Sequence, residues 1–533
     1  MNTLFQQILE ARGINESFLD PKYEDLTSPA NLPDIDKAVK RLLQAKELGE
    51  KVLIYGDYDV DGVTATAILK DTLELAGITE LEMMLPDRFV DGYGMSKRLV
   101  ERAKEWGANL IVTVDCGSNN AEIIDELTKN GIDTIVTDHH EIMGEIPEKA
   151  IAVINPRRIE MEPNLSGAGV AFMLAKALVE AGLIPEGQEK WLLDLAMIGT
   201  ICDSMKLTGD NRIICRFGML VLGKTRRLGL KELMRIAGVN KINTDAIGFQ
   251  IGPRLNAAGR METAELALKL LTTNSRAEAA SLAKELDRLN SERRKQQNAA
   301  LSEIEKAGTP KSPVIVVKGN WGEGVVGIIA GKLTEKYRKP SFVLAETSKE
   351  LKGSGRSFGE FNLALAVSEC QNLLISGGGH AEACGVRLEK ANFEEFKEKI
   401  NSYYESLKLK NQGRFLEAIE DISTPELGEL NLEFVGELNR LEPFGEGNLA
   451  PVILLTEVLI LNADRIGDKN QHLRMLIRGR DDKTLKLIAF NAPEDWLRVE
   501  AGEKINVWTS LIENEWNGIR SVEGRILGLK LCF

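Results

Sequence analysis

Three aspartates stand at alternate positions in one short stretch, Asp57, Asp59 and Asp61 of GDYDVDG. Carboxylates this close repel one another, and a fold tolerates them when a cation neutralises the charge. The stretch therefore points first to a divalent-metal centre. The bland alternative is an acidic surface turn or a calcium loop, because D-x-D-x-D-G also opens an EF-hand loop. That loop needs a preceding helix and a glutamate at its twelfth position. Here the apolar run Val52–Tyr55 precedes and reads as a buried strand, and the twelfth residue from Asp57 is Ile68. Gly62 is expected to permit a sharp turn, with a helical pattern beginning at Val63.

Further polar groups stand where other apolar runs end. Leu110–Val114 leads into Asp115-Cys116-Gly117, Thr134–Thr137 into Asp138-His139-His140, and Ile151–Ile154 into Asn155-Pro156. The chain has only 4 histidines, which makes the adjacent pair informative. Strand-end histidines that merely cap backbone are the alternative. Asp203 follows the apolar LAMIGTI, and an unpaired buried carboxylate is costly, so it too is expected to face a metal or a cation. Its alternative role is a helix N-cap. Oxygen and imidazole ligands without thiolates suit Mn²⁺ or Mg²⁺.

The elements that must position these groups alternate. Strands at 52–55, 81–85, 110–114, 134–137 and 151–154 are separated by helical patterns at 64–75, 96–106 and 120–130. That rhythm predicts an α/β fold with a doubly wound parallel sheet, whose ligands bind outside the carboxyl ends of the strands. Residues 1 to about 50 read as a helical, polar lead-in packed on this first domain. Ser275–Lys306 reads as one long connector helix, stopped by Gly308 and Pro310. Its Arg288, Arg293, Arg294 and Lys295 make it locally basic, with a solvated face as the bland reading of those charges. A smaller α/β domain follows, and from about Asn411 short β segments suggest a small barrel or sandwich, an OB-type barrel being one solution. The expected division is 1–274, 275–308, 309–410 and 411–533.

Weaker anion-binding signals lie between these elements. IGPRLNAAGRM combines Arg254, Asn256 and Arg260 with small residues that let a ligand approach, or it is an ordinary loop. LKGSGRSF offers Ser354, Arg356 and Ser357, and SGGGHAEACGV sets three glycines before His380. Gly-rich loops there would expose N–H groups to phosphate oxygens. In the last domain Trp508 and Trp516 could stack on single-stranded nucleic acid or serve as core and rim.

With 533 residues the chain suggests about two to four domains, and its 43% apolar and 28% charged content is that of a soluble globular protein. A net charge of −13 argues against nucleic-acid binding through bulk positive field, though not against a local basic groove. No apolar run approaches the ~20 residues of a membrane span, and the N-terminus lacks signal-peptide features. The 6 scattered cysteines form no CxxC pair and fit a reducing cytoplasm.

Taken together, GDYDVDG, VDCG, DHH, the isolated Asp203 and GGGH resemble the DHH phosphoesterase superfamily with its DHHA1 partner domain. DRFVDGYG, IGPRLNAAGRM, GVVGIIAGKL, GSGRS, GGGHAEACG and EPFGEGN narrow this to the RecJ family of bacterial single-strand-specific DNA exonucleases, over about residues 35 to 533. The resemblance implies a phosphodiesterase with two divalent metal ions, Mn²⁺ or Mg²⁺. Such an enzyme would degrade single-stranded DNA processively from the 5′ end, in DNA repair and recombination. By motif, Asp57, Asp59, Asp61, Asp115, His139 and Asp203 would be metal ligands, with Asp115 bridging and His140 facing the scissile phosphate. Arg88, Arg254, Asn256, Arg260, Ser354, Arg356 and His380 would hold DNA. The resemblance also implies a narrow cleft between the first two domains and an OB-fold at the end; a monomer is the expected state, with a helicase and a single-strand-binding protein as candidate partners on which the sequence itself says nothing firm. The sequence departs from relatives at GTICDSMKL, which is more polar after the Asp. It ends soon after the barrel, where longer relatives carry a further domain.

Two alternatives remain. A nuclease for short RNAs or cyclic dinucleotides shares the chemistry, but small relatives of that type generally lack the long helix and the barrel. A non-catalytic DNA-binding replication scaffold is expected to have lost metal carboxylates, all of which are present here.

Overall fold

The computed structural model describes residues 3–308, 311–409 and 419–532, with the side chain of Trp516 excepted. Residues 309, 410 and 411, at the expected boundaries 308/309 and 410/411, lie outside that set. The chain forms two compact units, Ser28–Asp203 with Gly218–Arg414, and Met1–Thr27 with Ser204–Phe217 and Phe415–Phe533.

In the first unit, β1 (Val52–Tyr55), β2 (Leu81–Met84), β3 (Leu110–Val114), β4 (Asp133–Thr137) and β5 (Ala152–Ile154) form a parallel sheet in the order β2-β1-β3-β4-β5. Helices cover both faces, so the strands read as continuous apolar runs, and β1, β3 and β5 are buried throughout. The strand order reverses between β1 and β3. Such a switch point opens a crevice at the carboxyl ends, and Asp57 and Asp115 follow those two strands.

The first helix after β1 spans Val60–Leu75, earlier than the sequence pattern suggests. Asp59 is its N-cap and accepts the Gly62 N–H at 3.0 Å, and Asp61 lies in its first turn. Gly62 is therefore inside the helix rather than in a sharp turn. A Cβ there would lie 2.6 Å from the backbone of Asp57, so glycine is what lets the helix start against the strand end. Asp203 is the C-cap of the helix Leu193–Cys202, not an N-cap. The stretch IGPRLNAAGRM is the helix Gly252–Met261 and not a loop. Arg276–Lys306 is one continuous helix with Ser275 as its N-cap.

The second sheet of this unit contains β6 (Ile315–Gly319), β7 (Ser341–Glu346), β8 (Leu351–Arg356), β9 (Leu374–Gly379) and β10 (Ala383–Leu388), in the order β6-β7-β8-β10-β9. The two Gly-rich stretches are thus strands, not phosphate-cradling loops, and their backbone groups enter the ladder. The glycines serve close packing there. A Cβ on Gly353 would meet the Leu344 side chain at 2.6 Å, and one on Gly355 would meet Cys384 Sγ at 2.6 Å.

The other unit carries β11 (Ile422–Thr424), β12 (Ile453–Ile466), β13 (His472–Arg478), β14 (Thr484–Ala489), β15 (Lys504–Trp516) and β16 (Ile519–Leu531). The order β11-β12-β13-β14-β16-β15, with β12 also pairing β15, closes a barrel of five strands. Two register shifts in β12 let one long strand serve both neighbours. Trp508 is half-buried and donates its indole N–H to Glu420 Oε2 at 3.0 Å.

The lead-in does not stay together. Phe5, Ile8 and Leu19 join the barrel core with Leu455, Met475 and Val507, whereas the helix Ile35–Leu48 packs in the first unit. Arg212 fixes the barrel unit from within. It is buried, its guanidinium lies 3.8 Å over the Phe18 ring, and it donates to the carbonyls of Phe18 and Leu441 at 2.9 and 2.8 Å. Phe5 is fully buried. Phe5→Ala is therefore expected to destabilise the barrel unit by about 3–5 kcal/mol, read as a lower urea midpoint of the transition that quenches barrel tryptophan fluorescence.

Candidate metal centre

Asp57, Asp59 and Asp61 leave β1 and enter the next helix, Asp115 follows β3, His139 and His140 follow β4, and Asp203 ends an apolar helix. The structure brings all of them together. Three sets of side chains offer ligand atoms within 4.8 Å of one another: Asp57, Asp59 and Asp115; Asp115, His139 and His140; Asp61, His139 and Asp203. Asp115 is the side chain that both carboxylate-rich and His-rich sets use. Its Oδ1 lies 3.0 Å from His139 Nε2, and His139 Nε2 lies 3.6 Å from Asp203 Oδ2.

Local backbone geometry aims these groups. Asp115 has φ +62°, in the left-handed region that a side chain adopts at a cost. Gly167 leaves room for it, since a Cβ there would lie 2.5 Å from Asp115 Cβ. Asp61 accepts the N–H groups of Gly167 and Ala168 at 2.6 and 2.9 Å, which pins it to the N-terminus of the helix Gly167–Glu180. Gly199 clears the same carboxylate, for a Cβ there would stand 2.4 Å from Asp61 Oδ1.

The donor set fits a cation. Asp57 Oδ1 and Asp115 Oδ1 are buried and accept no hydrogen bond. An orphaned carboxylate oxygen is unfavourable in the interior unless something positive meets it. A carboxylate at a helix C-terminus, as Asp203 is, also opposes the helix dipole. Hard oxygens with one neutral imidazole are the ligands of Mn²⁺ and Mg²⁺.

Basic residues gather beside this cluster. Arg88 lies 5.0 Å over the Tyr58 ring. Arg260 reaches the Gly324 carbonyl at 3.4 Å, and Arg356 donates to Ser354 Oγ at 2.8 Å. The charges of Arg88 and Arg356 both act on Arg260. His380 is exposed at the turn between β9 and β10. Arg254 is held by the protein itself, at 2.9 Å from Asp287 and 2.7 Å from the Gln250 carbonyl, and Asn256 is half-buried on the same helix.

Comparison with known proteins fits this architecture. Residues 51–200 match the DHH family N-terminal domain, 311–406 the DHHA1 domain and 423–527 the RecJ OB domain. The single-stranded-DNA-specific exonuclease RecJ of Haemophilus influenzae is 30% identical over 98% of this chain and 95% of its own length. RecJ of Bacillus subtilis is 35% identical over 96% of this chain, which spans 66% of that relative. The crystal structure of RecJ from Thermus thermophilus in complex with Mn²⁺ matches 99% of this chain and 76% of its own, at 31% identity and a TM-score of 0.85.

The chain belongs to the RecJ family. Among its described residues no helix is long and apolar enough to cross a membrane.

In this RecJ-family chain the electrostatics separate the two histidines. Burial, and then the charge of His140, push His139 down to about 3, so it is neutral and able to ligate through Nε2. For His140 burial works against the charge, but the hydrogen bond from Nδ1 to Asp138 Oδ1 at 2.8 Å outweighs it and lifts the group to about 9. Burial opposes the Asp138 charge too, yet His140, His139 and the Ser118 N–H at 2.9 Å hold that carboxyl well below its usual range. Asp138 is therefore the orienting group of the site, and sequence reasoning passed over it although it opens the DHH motif. Asn155 was noted only as a strand-end residue, and Asn164 was also missed. They donate to the carbonyls of His140 and His139, both at 2.9 Å.

Burial first, and neighbouring carboxylates second, push Asp57 and Asp115 well up, Asp61 up to about 7 and Asp203 up to about 8. A carboxyl raised in the folded state binds protons that the unfolded chain does not. Metal-free protein therefore loses stability through this cluster as pH rises from the ordinary carboxylate range to about 8. A divalent ion that replaces those protons restores it. Added Mn²⁺ is thus expected to raise Tm more at about pH 8 than at about pH 5, measured by scanning calorimetry after chelation. An equal gain at both would contradict this.

Proposed function

We propose that this chain is a divalent-metal-dependent, single-stranded-DNA-specific 5′→3′ exonuclease. It hydrolyses phosphodiester bonds to 5′-mononucleotides in DNA repair and recombination. The observation that carries the reading is the convergence of Asp57, Asp59, Asp115, His139 and Asp203 on one pole of the sheet with unsatisfied carboxylate oxygens. Relatives named single-stranded-DNA-specific exonuclease, and RecJ structures with Mn²⁺ and with Mg²⁺, support it.

Asp57, Asp59 and Asp115 would hold one cation, and Asp61, His139 and Asp203 with Asp115 a second. Bound there, Mn²⁺ or Mg²⁺ would neutralise the carboxylates and polarise the phosphate for attack by water. The chain supplies the rest. His140, charged at neutral pH and fixed through Nδ1 by Asp138, has its other ring nitrogen left to donate to a phosphate oxygen or to the leaving oxygen. Arg88, Arg260 and Arg356, with Ser354 and His380, would hold the backbone phosphates. The free cysteines fit a reducing cytoplasm.

Digestion of a 5′-labelled and a 3′-labelled single strand with Mn²⁺ tests this. Early release of labelled mononucleotide from the 5′ label, abolished in Asp115→Ala, is the expected result. Early release from the 3′ label would reverse the polarity. Binding without cleavage in either metal would make the chain a non-catalytic DNA-binding protein.

A further inference from the structure

Arg293 lies on the long helix Arg276–Lys306, in the basic run whose bland reading is a solvated face. The structure half-buries it. Its Nε is shielded from solvent and has no hydrogen-bond partner, and burial together with the charge of Arg294 works against its ionised form.

The neighbouring helix shows why this is unusual. Gly252–Met261 packs along Arg276–Lys306. At one point of contact the charges cancel, with Arg254 Nε 2.9 Å from Asp287 Oδ1. Arg260 and Arg293 each stand six residues further along the same two helices, a rise of about 9 Å. There the charge of Arg293 acts on Arg260. Burial lowers Arg260 to about 9, and the charges of Arg88, Arg293 and Arg356 act in the same direction, opposed by Asp59. Arg260 also abuts the smaller α/β domain. A Cβ on Gly324 would stand 2.0 Å from the Arg260 carbonyl, and one on Gly322 would stand 3.0 Å from Gln296 Oε1 of the long helix. Partly desolvated guanidinium groups that outnumber the carboxylates acting on them are unfavourable, and truncating one would then relieve the fold rather than damage it. A phosphodiester supplies the missing charge, and the planar fork of arginine matches its oxygens.

We propose that Arg293 contacts a backbone phosphate of the bound single strand, so that the connecting helix is part of the substrate track and not only a spacer. This rests on the exonuclease reading above.

The test measures anisotropy of a fluorescent oligo-dT across a salt series, with Ca²⁺ in place of Mn²⁺, for the full-length protein and for Arg293→Met and Arg293→Lys. Each phosphate contact to a single strand adds about 0.7 to the slope of log K against log salt. Arg293→Met is expected to bind more weakly and to lose about that much slope, while Arg293→Lys keeps it. DNA-free Arg293→Met is expected to melt no lower than the unmodified protein, because no ion pair is broken. Unchanged affinity and slope in Arg293→Met would overturn the proposal. So would an unchanged slope with a lower Tm, or failure to fold, since either marks a structural arginine. If the unmodified protein itself binds no oligonucleotide, the exonuclease reading fails first and this inference falls with it.

Discussion

The mutual repulsion of buried carboxylates is the constraint on which the rest of the first unit depends. Asp57, Asp61 and Asp115 are nearly inaccessible, and each is pushed toward its protonated form by burial and by the others. An interior of low dielectric makes such crowding costly, and evolution of a stable core alone would remove it. Its persistence at the switch point of a parallel sheet is intelligible when the carboxylates are there to bind cations. The charge pattern around them agrees. His139 is kept neutral where a lone pair is useful, and His140 is kept charged where an anion would lie.

Placing that much negative charge requires close approach, and glycine supplies it. Gly62 lets a helix begin against Asp57, Gly167 clears Asp115, and Gly199 clears Asp61. The three come from different helices, so three packing contacts must hold before the cluster exists. A second layer then fixes direction. Asp138 holds His140, and Asn155 and Asn164 hold the loop that carries both histidines. Preorganisation of this kind means that little rearrangement is needed as charge develops on a phosphate.

The apolar runs that become β1, β3, β4 and β5 were legible because strands buried on both faces must be continuously apolar. The polar residues at their ends were legible because carboxylates and histidines gathered at the carboxyl ends of parallel strands stand where such sheets bind ligands. The Gly-rich stretches misled, since glycine marks both phosphate loops and strands that crowd a neighbour, and only packing around Gly353 and Gly355 tells them apart. The fate of residues 3–27 was hidden for another reason. Phe5 and Ile8 pack on barrel residues more than 400 positions away, and no local pattern encodes such a contact. Asp138 was visible in the sequence, but its task is to orient a neighbour, which shows only once the 2.8 Å contact to His140 is seen. Arg293 looked like part of a solvated run because helical charge patterns do not reveal which residue turns inward.

The central claim is that the carboxylate cluster exists to share cations through Asp115. Anomalous diffraction from crystals grown with Mn²⁺ tests it most directly. The account predicts two neighbouring peaks, one among Asp57, Asp59 and Asp115 and one among Asp115, His139 and Asp203. A single peak that leaves Asp115 uncoordinated, or none at this pole of the sheet, would contradict it.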